Sequence, residues 1–164
     1  MSLSQHVIAI YPGSFDPLTR GHEDIARRTL RIADHLIIGV AHHATQSKQG
    51  LLSVGERVEV IRDVFRDEER VEAVAFQGLL VDFAKARGAH FIIRGLRAVS
   101  DFEYEFQMAQ MNRELWSEVE TLFLAPEVDY SFLSSSLVRQ VFSLGGDVSR
   151  FVSPQVLSSL QAKV

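Results

Sequence analysis

Val7-Ile8-Ala9-Ile10-Tyr11 runs directly into Pro12-Gly13-Ser14-Phe15-Asp16-Pro17-Leu18-Thr19-Arg20-Gly21-His22, and the join between the two decides the fold. Five successive residues, four of them β-branched or aromatic, suit a strand buried on both faces. Two prolines and two glycines then break the run, and Ile25, Ala26, Thr29, Leu30 and Ala33 follow at spacings that share one face of a helix. A buried strand, a turn and a helix in that order begin a parallel crossover unit.

Four more apolar runs continue the pattern, at Leu36 to Ala41, Val71 to Phe76, Phe91 to Ile93 and Thr121 to Leu124. Helical segments separate them. Ser53 and Glu56 have capping-box spacing ahead of Val58, Ile61 and Phe65, which predicts a helix from Ser53 with its exit at Asp67 to Arg70. A third helix is predicted from Leu79 to Arg87, stopped by Gly88. Ser100 and Glu103 repeat the box before Phe106, Ala109, Met111 and Leu115, predicting a longer helix, apolar on one side, that reaches towards Trp116. A helix from Ser135 to about Leu144 should close at Gly145-Gly146, and a last one should open at Ser153-Pro154. Five strands alternating with helices predict a doubly wound, five-stranded parallel sheet in one domain spanning residues 1–164.

Composition narrows the chemistry. The 164 residues contain no cysteine, so neither a disulfide nor a thiolate metal site can form. The net charge of -4 offers no general attraction to nucleic acid, so any phosphate binding must be local. No basic start with an apolar stretch suggests a signal peptide, and no run approaches the roughly 18 apolar residues of a membrane span, so a cytoplasmic protein is expected. Fourteen of the 17 basic residues are arginines, leaving Lys48, Lys85 and Lys163 as the only lysines.

In doubly wound sheets ligands bind beyond the carboxyl ends of the strands. Three segments there carry unusual residues. In the first, from Gly13 to His22, backbone N–H groups near a helix start favour anions, and Ser14, Thr19 and His22 add donors without a Walker lysine. An ordinary turn with a surface histidine accounts for this segment equally well when it is taken alone. The second, Ile93-Arg94-Gly95-Leu96-Arg97-Ala98-Val99-Ser100-Asp101-Phe102-Glu103-Tyr104-Glu105, sets two arginine forks after the fourth strand, either for phosphate oxygens or as solvated surface charges. In the third, Tyr130 to Arg139, Ser134, Ser135 and Ser136 open a helix, and capping explains only one of them. His42 and His43 are neighbours leaving a strand on opposite faces with no carboxylate beside them, so no structural metal is expected.

Gly-Ser-Phe-Asp-Pro followed by Thr-x-Gly-His resembles the signature of the nucleotidylyltransferase superfamily, with His22 at the position of its phosphate-contacting histidine. The Ile-Arg-Gly-Leu-Arg block, continued by Met111-Asn112-Arg113, is similar to that of the phosphopantetheine adenylyltransferases, and the matching blocks span Tyr11 to Arg139. That resemblance implies a Rossmann-like fold and transfer of AMP from ATP to phosphopantetheine, with Mg2+ accompanying ATP. It implies His22 and Lys48 as catalytic groups, and Ser14, Lys48, Leu80 and Arg94 on phosphopantetheine. It implies ATP contacts from Ser14, Phe15, His22, Gly95, Leu96, Arg97 and Glu105. Further ATP contacts are implied for Tyr130, Ser131, Phe132, Leu133, Ser134, Ser135 and Ser136, with Arg139 beside them. Leu79 also matches a pantetheine-side position, although core packing explains an apolar residue there as well.

One departure lies at His42 to Gly50, where the family carries a shorter loop; counting back from Ser53 makes Lys48 the matching lysine, with a solvated loop lysine as the alternative. A homohexamer and feedback inhibition by coenzyme A are further implications of the resemblance. Competing expectations are a nucleotidylyltransferase acting on another phosphate, a nucleotide-sensing module without catalysis, and a class I synthetase fragment. The last would need a Lys-Met-Ser-Lys-Ser-like loop, which the sequence does not contain.

Overall fold

A computed structural model describes residues 6–42 and 50–164. Strands β1 (Ile8–Gly13), β2 (His35–Ala41), β3 (Val71–Phe76), β4 (Phe91–Gly95) and β5 (Glu120–Leu124) form one sheet in the order β3-β2-β1-β4-β5. All four pairings are parallel, with Ile8 opposite His35, Leu36 opposite Val71, Ala9 opposite Phe91 and Phe91 opposite Glu120. The doubly wound sheet expected from the strand-helix alternation is therefore what forms. The predicted strand limits hold to within two residues.

Alternation along the central strands builds a core on each face. Ala9, Tyr11, Leu36, Ile38, Val40 and Ile93 point to one side, where Ile25 and Ala26 of helix α1 (Arg20–Thr29) and Val58 and Ile61 of α2 (Val54–Val64) cover them. Helices α5 (Ser135–Ser143) and α6 (Pro154–Gln161) complete that layer through Val138, Val156 and Leu160. Ile10 and Ile37 point to the other side, against Ala84 of α3 (Leu80–Ala86) and Trp116 at the end of α4 (Val99–Leu115).

The capping box at Ser53 forms as its spacing predicts: the Ser53 N–H donates to Glu56 at 2.8 Å and the Glu56 N–H donates to the Ser53 hydroxyl at 3.3 Å. Gly88, with φ of 64°, ends the turn after α3, where a side chain would be strained. The box expected at Ser100 does not cap α4. That helix begins earlier, with Ala98 as N-cap and no capping side chain, so Ser100 falls inside its first turn. Asp101, which complements the helix dipole from that turn, pairs with Arg97 at 3.3 Å and holds the start instead.

The face of α4 also differs from expectation. Asp101, Glu105, Ala109 and Asn112, spaced four, four and three apart, are its less exposed residues. Phe102, Phe106, Met111 and Leu115 stand between 45% and 56% exposed, with Phe102 and Phe106 stacked at 5.5 Å. The helix turns a polar and small-residue face to the fold, with Phe102 and Phe106 on one flank, Met111 and Leu115 on the other, and Glu103, Gln107, Gln110 and Glu114 facing away.

Candidate nucleotide site

The chain leaves β1 and β4 in opposite lateral directions, so the sheet opens between their carboxyl ends, at Gly13 and Gly95. A cavity of about 650 Å³ occupies that opening. The turn after β1 forms one wall, the start of α4 a second, and the segment entering α5 a third.

His22 stands at the third position of α1, where it completes a capping box with Thr19. Its Nδ1 accepts the Thr19 backbone N–H at 3.1 Å, and the Thr19 hydroxyl lies 3.0 Å from the same nitrogen. An Nδ1 that accepts a backbone N–H carries no proton, so the neutral ring holds its hydrogen on Nε2. Phe15 and Tyr11 flank the imidazole, with ring centroids at 5.1 Å and 6.2 Å. Burial, reinforced by the positive charges of Arg97 and Arg94, lowers the His22 pKa from 6.5 to about 4. At neutral pH His22 is thus an uncharged ring with a fixed tautomer and one N–H to donate. Burial also pushes the Tyr11 phenol well above its ordinary value.

Two arginines face the same space, each steadied by a carboxylate of α4. Arg94 donates from Nε and Nη2 to the two oxygens of Glu105, both at 2.6 Å, and from Nη1 to the Pro12 carbonyl at 3.1 Å. Burial opposes the charge on Arg94, but the Glu105 hydrogen bonds and charge outweigh it and raise the pKa. Arg97 pairs with Asp101 and donates to the Leu133 carbonyl at 3.1 Å. The four-residue spacing of Asp101 and Glu105 matches one turn of helix, which sets the two pairs side by side.

The turn itself is tied back through its carbonyls. Those of Pro12, Ser14, Asp16 and Pro17 accept from Arg94, Arg57, Arg139 and Ser135, the last at 2.8 Å. The three serines have three separate partners: Ser134 caps α5 by accepting the Leu137 N–H, Ser135 holds Pro17, and Ser136 accepts from Arg139. Capping indeed accounts for only one.

Of the residues singled out in the sequence, Ser14, Phe15, Thr19, His22, Arg94 and Arg97 line this cavity. So do Gly95, Glu105, Tyr130, Leu133 and the serines from Ser134 to Ser136, together with Arg139. Leu96, Ser131 and Phe132 do not. The Leu96 N–H bonds to Leu124 beyond the β4 ladder, the Ser131 hydroxyl caps its own 3-10 turn (Val128–Tyr130), and Phe132 packs edge-on against Phe151. Leu79 and Leu80 line a second cavity of about 460 Å³, with Phe76, Tyr104, Met108 and Leu115. It meets the first at Pro12, Gly13, Ser14, Arg94 and Glu105. Lys48 and His43 lie outside the described residues.

Sequence reasoning assigned no part to Asp16, Asp101 or Arg57, all of which line the first cavity. Arg57 carried a usable signal: it sits four residues before Ile61, on the buried side of α2, where a charge requires a partner. Among the described residues no group of three or more His, Asp or Glu side chains is placed to hold a metal ion. None of the described helices is long and apolar enough to cross a membrane.

A family profile described as cytidylyltransferase-like matches residues 10–141. The phosphopantetheine adenylyltransferase of Azoarcus sp. (strain BH72) is 52% identical over 96% of this chain and 95% of its own length. That of Alkalilimnicola ehrlichii is 54% identical over 94% of this chain and 88% of its own. A crystal structure assigned to a nicotinate-nucleotide adenylyltransferase of Vibrio parahaemolyticus superposes with a TM-score of 0.71 at 17% identity, covering 96% of this chain and 93% of that one, which bears on the fold alone. With near-complete coverage at about half identity, and with the profile spanning the turn, the arginine block and the serine segment, the chain belongs to the phosphopantetheine adenylyltransferase family.

Proposed function

We propose that this chain transfers the adenylyl group of ATP to the phosphate of phosphopantetheine, giving dephospho-coenzyme A and pyrophosphate, the penultimate step of coenzyme A synthesis. The observation that carries the proposal is the pairing of cavities. A polar one lined by His22, Arg94 and Arg97 meets an apolar one lined by Leu79, Leu80 and Met108, and Ser14 and Arg94 stand on their common border. A triphosphate suits the first, an uncharged pantetheine arm suits the second, and the two reacting phosphates then meet at the border.

A phosphate monoester has a second pKa of about 6 and is mostly dianionic at neutral pH, so it attacks without a protein base. Its oxygen forms a bond to the α-phosphorus as the bond from that phosphorus to the bridging oxygen breaks, and pyrophosphate leaves with the electron pair. The protein's work is alignment and charge stabilisation. His22, neutral with Nε2–H outward, suits a donor to α-phosphate oxygens in the transition state. Arg94, oriented by Glu105, receives the phosphopantetheine phosphate together with Ser14, and Arg97 receives the triphosphate. Lys48 is assigned to the attacking phosphate by resemblance.

Asp101 and Glu105 are engaged by arginines, so magnesium would be held mainly by the ATP phosphates, whose charge it would share. A homohexamer is proposed by resemblance to the family, and Phe102 and Phe106, stacked and half-exposed on one flank of α4, offer a second copy an apolar contact. Coenzyme A, which carries the same pantetheine arm, is proposed to inhibit by competing for the apolar cavity, and the enzyme is assigned to the cytoplasm.

The test is pyrophosphate release from ATP and phosphopantetheine, with and without Mg2+, beside nicotinamide mononucleotide and glycerol phosphate as acceptors. Release with phosphopantetheine alone is expected. Release with another acceptor only would redirect the assignment, and release with none would leave a nucleotide-binding module.

A further inference from the structure

Phe15 is the one non-glycine among the described residues with a positive φ, 46°, and it is only 2% exposed. A bulky residue held in that region persists only when its surroundings over-determine it, and such outliers gather at functional sites. Its two neighbours show what supplies the constraint, and both lead to Arg57.

Arg57 is 7% exposed and commits its whole fork to protein groups. Nε donates to the Leu52 carbonyl at 2.8 Å, Nη1 donates to the Ser14 carbonyl at 3.2 Å, and Nη2 lies 3.4 Å from the Asp16 carboxylate. That carboxylate also accepts the Leu51 and Leu52 N–H groups at 3.2 Å and 3.0 Å. Ser14 and Asp16, on either side of Phe15, are thereby clamped to the segment that enters α2. Gly50 closes the knot: a Cβ there would stand 2.6 Å from Arg57 Nη2 and 2.8 Å from Asp16 Oδ2.

The Ser14 carbonyl and the Phe15 N–H belong to one peptide plane and point in opposite directions. Pinning the carbonyl to Arg57 therefore aims the Phe15 N–H, and it sets the Phe15 ring against His22. We infer that Arg57 is a positioning residue of the adenylyl transfer, acting through the Ser14–Phe15 peptide, with its fork committed to protein groups. The inference rests on the reaction proposed above.

Arg57→Lys keeps a charge beside Asp16 but offers one ammonium for three acceptors. Turnover at saturating ATP and phosphopantetheine should fall tenfold or more, since displacements near 1 Å at a reacting centre cost about a hundredfold. The Kd for a non-hydrolysable ATP analogue, read by calorimetry, should change less than about threefold, because His22 and Arg97 are anchored independently of Arg57. Arg57→Met leaves Asp16 buried without its cation and should melt early, whereas Arg57→Met combined with Asp16→Asn removes that unpaired charge and should regain melting temperature without regaining turnover. Turnover of Arg57→Lys within threefold of the wild type would overturn the inference, as would recovery of turnover with melting temperature in the double variant. A wild-type protein that releases no pyrophosphate would overturn the proposed reaction and the inference with it.

Discussion

Replacing His22 by asparagine should make the protein less sensitive to acid. Asparagine keeps an acceptor for the Thr19 N–H, so the start of α1 stays capped, while the titrating ring is gone. In the wild type the ring takes up its proton near pH 6.5 when unfolded and near pH 4 when folded. As pH falls through that window the unfolded chain binds the proton first, so native stability drops from pH 6.5 downward and the loss levels off below pH 4. Each unit is worth about 1.4 kcal/mol, so at pH 5, one and a half units below the unfolded value, the loss reaches about 2 kcal/mol. All other ionisable groups are common to the two proteins and cancel in the difference. Urea titrations of wild type and His22→Asn at pH 7.5 and pH 5.0, without ligand, measure it. Equal losses in the two proteins would refute the depressed pKa of a desolvated His22.

Three shorter predictions complete the set. His22→Ala should lower pyrophosphate release by about a hundredfold or more while the protein stays folded by circular dichroism, the scale expected for removing one preorganised donor; near-normal turnover would remove His22 from the transition state. Ser53→Ala breaks the capping box of α2 and should cost about 1 kcal/mol in urea denaturation, with no cost if water replaces the hydroxyl fully. Phe106→Glu, on the exposed flank of α4, should reduce the mass found by light scattering, and an unchanged mass would place the assembly contact elsewhere.

The inner strands β1 and β2 were legible because their apolar runs, buried on both faces, have no polar interruption, and the edge strand β3 was legible although Glu72 interrupts it. Helix starts were legible where a side chain caps them, as at Ser53, and where proline opens them, as at Pro154, but the start of α4, which has neither, was misread. Ser100 and Glu103 have the right spacing for a cap, but the Arg97–Asp101 pair starts α4 earlier. The face of α4 could not be read from periodicity, since Phe106, Ala109, Met111 and Leu115 look like one core-facing side, of which only Ala109 is less exposed once the topology sets Asp101 and Glu105 against two arginines. Thr19 and His22 have capping-box spacing too, yet histidine is not the glutamate or glutamine that the box usually takes, so its tautomer emerged only from geometry. The carbonyl ties of the turn, made by residues up to 123 positions away, leave no local mark at all.

Helix α4 has two duties. Its inward carboxylates hold Arg94 and Arg97 in place, and the half-exposed Phe102 and Phe106 on its flank await a covering surface, so a shift of the helix along its axis reaches both. Where a second copy covers that surface, subunit docking and substrate affinity become linked equilibria, each changing the other by the same factor. Protein concentration then enters as a variable in any titration with ATP: dilution to the point of dissociation should weaken nucleotide binding, and saturating nucleotide should hold the assembly together at lower concentration.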